Sequence, residues 1–158
     1  MSVTIEISVE YEGWHRILGA ELIAHRAAMA ALEAADVRGG EVSIMLCDDA
    51  RIRELNGEFR KKDRPTNVLS FPSNEMHNGA RFYGDVALAF ETLVREAREE
   101  GKRVDAHLTH LVAHGVLHLL GFDHGNEQDA ERMESLETKI LAKLGFPDPY
   151  AARAEAEA

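Results

Sequence analysis

Three histidines in the segment His114-Gly-Val-Leu-His118-Leu-Leu-Gly121-Phe-Asp-His124 have the type and spacing of metal ligands. His114 and His118 lie four apart in a stretch with helical pattern, so their side chains stack one turn apart on one face. Gly121 stands where a helix C′ residue is expected and lets the chain reverse. His124 follows three residues later and can fold back toward the same face. Three neutral imidazoles with a fourth position left open form the ligand set of a catalytic zinc ion. No cysteine is near enough in sequence to close the site. The pattern predicts one zinc ion per chain on His114, His118 and His124.

The spacing H-x-x-x-H-x-x-G-x-x-H is that of the metzincin peptidases with one difference. After the first histidine such an enzyme carries a general-base Glu; here Gly115 stands there, with no proton-accepting side chain. The spacing says zinc hydrolase, and the glycine argues against the usual peptide chemistry. Asp123 either orients a ligand imidazole or caps the turn. His110, one turn before His114, is either a substrate-side or ligand-supporting group or a polar residue on an exposed stripe. His15, His25, His77 and His107 have no such company and are read as ordinary. Cys47, the single cysteine, sits in an apolar run and is expected to be a buried, reduced thiol.

The elements that must position these groups follow from periodicity. Residues 3–9 alternate and predict a strand. Residues 14–35 are rich in Ala and Leu without Pro and predict one long helix, stopped by Gly39-Gly40. A strand over 41–47, a helix from Asp48 to about Phe59, a strand over 67–71, a loop over 73–81 and a strand over 82–90 follow. Helices over 91–100, 104–120 and 127–144 complete the chain. The order predicts an α+β fold: a small mixed four-stranded sheet covered by about five helices, with a zincin-like metal helix followed by a Gly turn. Residues 1–150 are expected to form a single metal-dependent hydrolase domain, and 151–158 a disordered tail without an apolar face.

Charge narrows the partners. The 158 residues carry a formal charge of −10, which excludes a generic charge-driven nucleic-acid binder. Between Arg51 and Arg64, however, six Lys or Arg stand against three acids. That local excess suits a phosphate chain, and equally a solvated helix end. No apolar run approaches the length of a membrane span, and no signal-peptide pattern is visible at the start. No membrane partner is expected, and the cytoplasm follows by elimination.

The chain resembles the YbeY family of single-strand-specific endoribonucleases. The resemblance is carried by the segment 114–124, the preceding His110-Leu-Val-Ala, the stretch from Asn56 and Arg60 to Ser70-Phe-Pro72, and Gly84-Asp85. It is strong over about residues 40–125. It implies zinc on His114, His118 and His124, a functional Arg60, and a role in maturing the 3′ end of small-subunit ribosomal RNA and in ribosome quality control. The implied partners are single-stranded RNA, as a ribosomal RNA precursor, and the small ribosomal subunit with its proteins. Arg60 suits a phosphate clamp, because a guanidinium pairs with two oxygens and stays charged. His114 is a catalytic candidate alongside it, and Ser70 a supporting or substrate-side one. Asn67 replaces an Asp common in the family; Asn keeps the shape and one acceptor, which suits a structural role. Two other classes fit parts of the sequence. A zinc hydrolase of peptides or small molecules would leave the basic segment idle. A ribosome-assembly factor with structural zinc would need a fourth protein ligand.

Overall fold

Strand alternation and glycine placement build the frame that carries the histidines. The computed structural model describes residues 2–60, apart from the side chain of Arg60, and 66–151. In chain order the elements are β1 (Val3–Val9), a 3₁₀ turn (Glu12–Arg16), α1 (Ala20–Ala34), β2 (Gly40–Cys47), α2 (Asp49–Arg60), β3 (Val68–Pro72), β4 (Met76–His77), β5 (Ala80–Ala89), α3 (Phe90–Glu99), α4 (Val104–Leu119) and α5 (Glu127–Lys143). The sheet order is β1-β2-β5-β3, with β4 paired to β5. β1 and β5 run parallel to β2, and β3 and β4 run antiparallel to β5. The expected mixed sheet with five helices is present, with one strand more than expected.

That strand is a hairpin in the segment expected to be a loop. Asn78 and Gly79 both have positive φ, the requirement of a two-residue hairpin turn, and His77 pairs with Ala80 across it. His77 stacks on Phe82 at 4.3 Å and its Nδ1 lies 3.3 Å from Glu41. The long first helix is also corrected. Trp14 is buried, donates from Nε1 to the Cys47 carbonyl at 2.8 Å and meets Phe90 edge to face. Gly19 turns the chain at φ +69°, and α1 starts only at Ala20. Among the described residues no helix is long and apolar enough to cross a membrane.

Period-two alternation divides the sheet into two faces. Val42, Ile44, Leu46, Val86 and Leu88 pack under α1, α4 and α5 in the main core. Cys47, Leu69, Ala87 and Ala89 pack under Ile52 and Leu55 of α2 in a smaller one. Burial pushes the Cys47 thiol up to about 12, in keeping with a buried, reduced thiol.

Helix α4 crosses the sheet at Gly115. A Cβ there would meet Val86 Cγ1 at 2.6 Å and Ser70 Oγ at 3.3 Å, so only glycine allows this approach. Ser70 Oγ donates to the Gly115 carbonyl at 2.8 Å, fastening β3 to α4. Gly115→Ala gains about 1 kcal/mol of helix propensity. Overpacking costs roughly 1–3 kcal/mol, and Val86 is buried and β-branched, with little room to yield. The urea midpoint of Gly115→Ala is therefore expected to fall with the slope unchanged. A midpoint equal to or above the parent's would show that the helix has room for a methyl.

Candidate metal centre and cleft

The last turns of α4 and its exit turn bring three imidazoles together. Gly121 has φ +97°; its N–H donates to the His118 carbonyl and that of Phe122 to the Leu117 carbonyl. These two bonds end the helix in a Schellman motif and turn the chain back. Asp123 Oδ1 accepts from the His124 backbone N–H at 2.7 Å, so its described hydrogen bond is that of a turn cap. The His124 ring stacks on that of His114 with centroids 5.1 Å apart. The ligand nitrogens of His114, His118 and His124 all lie within 4.8 Å of one another. His114 Nε2 and His118 Nε2 are 3.1 Å apart, close to the about 3.3 Å that tetrahedral zinc–nitrogen bonds impose. Among the described residues this cluster contains only imidazoles.

A residue absent from the sequence-based candidates holds His114 in place. Glu137 of α5 is 0% exposed, and its Oε1 accepts from His114 Nδ1 at 2.7 Å. Oε1 also lies 3.2 Å from His110 Nε2, and Oε2 accepts from the Tyr150 hydroxyl at 2.7 Å. Burial alone would push this carboxyl up. The hydrogen bonds from His110, His114 and Tyr150 outweigh burial and hold it down to about 2. A carboxylate at Nδ1 fixes the proton there and turns the Nε2 lone pair of His114 toward His118. Burial, then the neighbouring His114 and His124, lower the pKa of His118 and favour its neutral, ligating form. The donor set therefore fits a divalent metal that prefers imidazole nitrogen. Glu137 left a signal in the sequence: it interrupts the apolar stripe of α5 formed by Met133, Ile140 and Leu141.

His110 thus sits against Glu137 and Tyr150, largely buried rather than on an exposed stripe. His107, read as ordinary, is also buried and lies 3.0 Å through Nε2 from Glu96 Oε1. Asn67 donates from Nδ2 to the same carboxylate at 3.0 Å, a contact that an ionised Asp could not make. His15 and His25 are exposed.

His114 and His118 line a cleft of about 1080 Å³ whose other walls are β3 and α2. Ser70, Phe71 and Asp85 face it from the sheet, and Arg51 and Phe59 from α2. Phe59 is 61% exposed and meets Phe71 edge to face at 5.3 Å. Arg60 ends α2 beside this cleft; its side chain and the basic residues 61–64 lie outside the described residues.

Fold and site together define an α+β protein with a mixed sheet and a three-imidazole, metal-capable cluster at the wall of a cleft. A family model described as Endoribonuclease YbeY matches residues 9–145. The chain is 52% identical to the Endoribonuclease YbeY of Bradyrhizobium diazoefficiens, over 94% of this chain and 85% of that one. It is 51% identical to that of Azorhizobium caulinodans, over 96% and 98%. The solution structure of a Thermotoga maritima protein, 26% identical, superposes with a TM-score of 0.57 over 89% of this chain and 91% of that one. The chain belongs to the YbeY family.

Residues that orient a ligand imidazole typically contribute 10–100-fold to metal affinity. Glu137→Gln is expected to weaken zinc binding about 10-fold and Glu137→Ala nearer 100-fold, measured by competition with a chromogenic chelator. Affinity equal to the parent's in both variants would remove Glu137 from the site.

Proposed function

We propose that this chain is a zinc-dependent endoribonuclease specific for single-stranded RNA. Its setting is 3′-end maturation of small-subunit ribosomal RNA and ribosome quality control, in the cytoplasm, with the small ribosomal subunit and its proteins as partners. Residues 1–150 serve as one hydrolase domain. The observation that carries this reading is the trio of converging imidazoles, two of which line one cleft, in a chain of the YbeY family. His114, His118 and His124 would hold the zinc, which would supply Lewis acidity toward a phosphoryl oxygen or acidify a water toward a pKa of ~7.

The chain's own groups divide the remaining work. Glu137 keeps the His114 proton on Nδ1. Gly115 admits no base beside His114, and its place is set by packing on Val86. That suits a phosphodiester, whose attacking oxygen can be a water or the ribose 2′-hydroxyl, better than a peptide. Arg60 is the phosphate clamp, with two N–H groups for two oxygens. Phe59 offers an exposed ring at the same cleft, on which an unpaired base can stack. A flexible single strand can bend its phosphates into such a cleft, whereas an A-form duplex holds them on a rigid cylinder. The acidic body adds little general attraction for either.

His114→Ala is expected to lose zinc and RNA cleavage together, measured by metal analysis and by cutting of matched single- and double-stranded oligonucleotides. Arg60→Ala should keep zinc and fold but lose cleavage, and Arg60→Lys should restore it poorly. Normal cutting by a zinc-free chain would sink the zinc assignment. Normal cutting by Arg60→Ala would sink the clamp. A zinc-loaded parent that cuts no RNA would favour a structural ion in an assembly factor.

A further inference from the structure

The metal cluster has a second concave neighbour. A pocket of about 480 Å³ opens beside the main cleft, and Asn67, Val68 and His114 line both, forming the divide between them. Its volume falls within the ~300–1,000 Å³ of small-molecule sites. We propose that this pocket is a nucleobase subsite for the nucleotide next to the scissile phosphate, in which Glu96 selects bases that carry an exocyclic amine over uracil. The inference rests on the endoribonuclease reading above.

The charges of the pocket favour a base over a phosphate. Glu96 and Glu100 both line it, and Lys102, its one cation, lies 3.4 Å from Glu100. The two carboxylates outnumber this ammonium group, which disfavours a phosphate. Leu111, Pro149 and Tyr150 supply apolar and ring surface for a planar group.

The less engaged oxygen of Glu96 explains the direction of selectivity. Asn67 and His107 both bind Glu96 chiefly through Oε1, at 3.0 Å each. Oε2 takes only the longer branch from Asn67, at 3.3 Å. A carboxylate oxygen accepts and never donates. The amines of guanine, adenine and cytosine can donate to it. Uracil offers only its ring N3–H on that edge, set between two carbonyls that a carboxylate repels, whereas an exocyclic amine projects clear of such oxygens.

The test is cleavage of a pool of single-stranded RNAs of randomised sequence by the zinc-loaded parent, with both product ends sequenced. Amine-bearing bases should be enriched over uracil at one position flanking the cut by roughly fivefold, the ratio expected for one net hydrogen bond. In Glu96→Gln the enrichment should fall to parity or invert toward uracil, because the amide can donate to a carbonyl. A second measurement needs no variant: replacing adenosine at that position by purine riboside, which lacks the amine, should lower kcat/KM about as much. Cutting without base preference at every flanking position, an enrichment unchanged in folded Glu96→Gln, or indifference to purine riboside would overturn the subsite alone. A parent that cuts nothing would overturn the endoribonuclease reading and the subsite with it.

Discussion

The contact between α4 and the sheet at Gly115 fixes where everything else in the site can be. One missing methyl lets the helix settle on Val86, and the Ser70 hydroxyl fastens its backbone to β3. The helix then projects His114 and His118 past the edge strand, and the Schellman turn at Gly121 aims the chain back with His124. The same glycine leaves no side chain beside His114. Packing and chemistry are thus set by one residue: the fold needs a glycine there, and the site must work without a base there.

Around that contact, charge is organised by burial. Glu137 is an anion with no exposed surface, kept ionised by three donors from α4 and the C-terminal segment. Replacing one partner of such a buried group leaves the others unsatisfied, which is why its loss should reach His114 and its neighbours rather than stay local. On the other side of Val68, Glu96 is likewise tied to His107 and Asn67. Helix α4 is therefore flanked by two carboxylates: one wholly buried and turned to His114, the other partly exposed and turned to a pocket.

The three imidazoles were legible in the sequence because their grouping is local: a helical i, i+4 pair and a glycine turn bring them together without long-range contacts. The strands and helices were legible for the same reason, through their periodicity. The breaks in that pattern were local too but were decided by tertiary contacts. Trp14 leaves helical geometry to reach the Cys47 carbonyl, and within residues 14–35 only Gly19 signals the break. The Asn78–Gly79 hairpin was written in the sequence, since that dipeptide is a strong turn signal, but β4 on its near side is two residues long and too short to show alternation. Glu137 and Tyr150 were illegible as site residues because 23 positions separate Glu137 from His114, and only the docking of α5 joins them. Glu137 nevertheless disturbs an apolar stripe, and a charged residue at a core position of a helix is a general sign of a buried partner.

The chain order of these parts has a consequence for biosynthesis. The sheet, α4 and all three imidazoles precede the groups that orient them, because Glu137 and Tyr150 come later in the chain. A chain leaving the ribosome, at about 5–20 residues per second, presents the histidines before it can present their carboxylate. During that interval His114 has neither its fixed tautomer nor its fixed ring position. The nascent protein therefore carries an unfinished centre past the nucleic acid of the machine that makes it, and the centre is completed only when α5 folds onto α4.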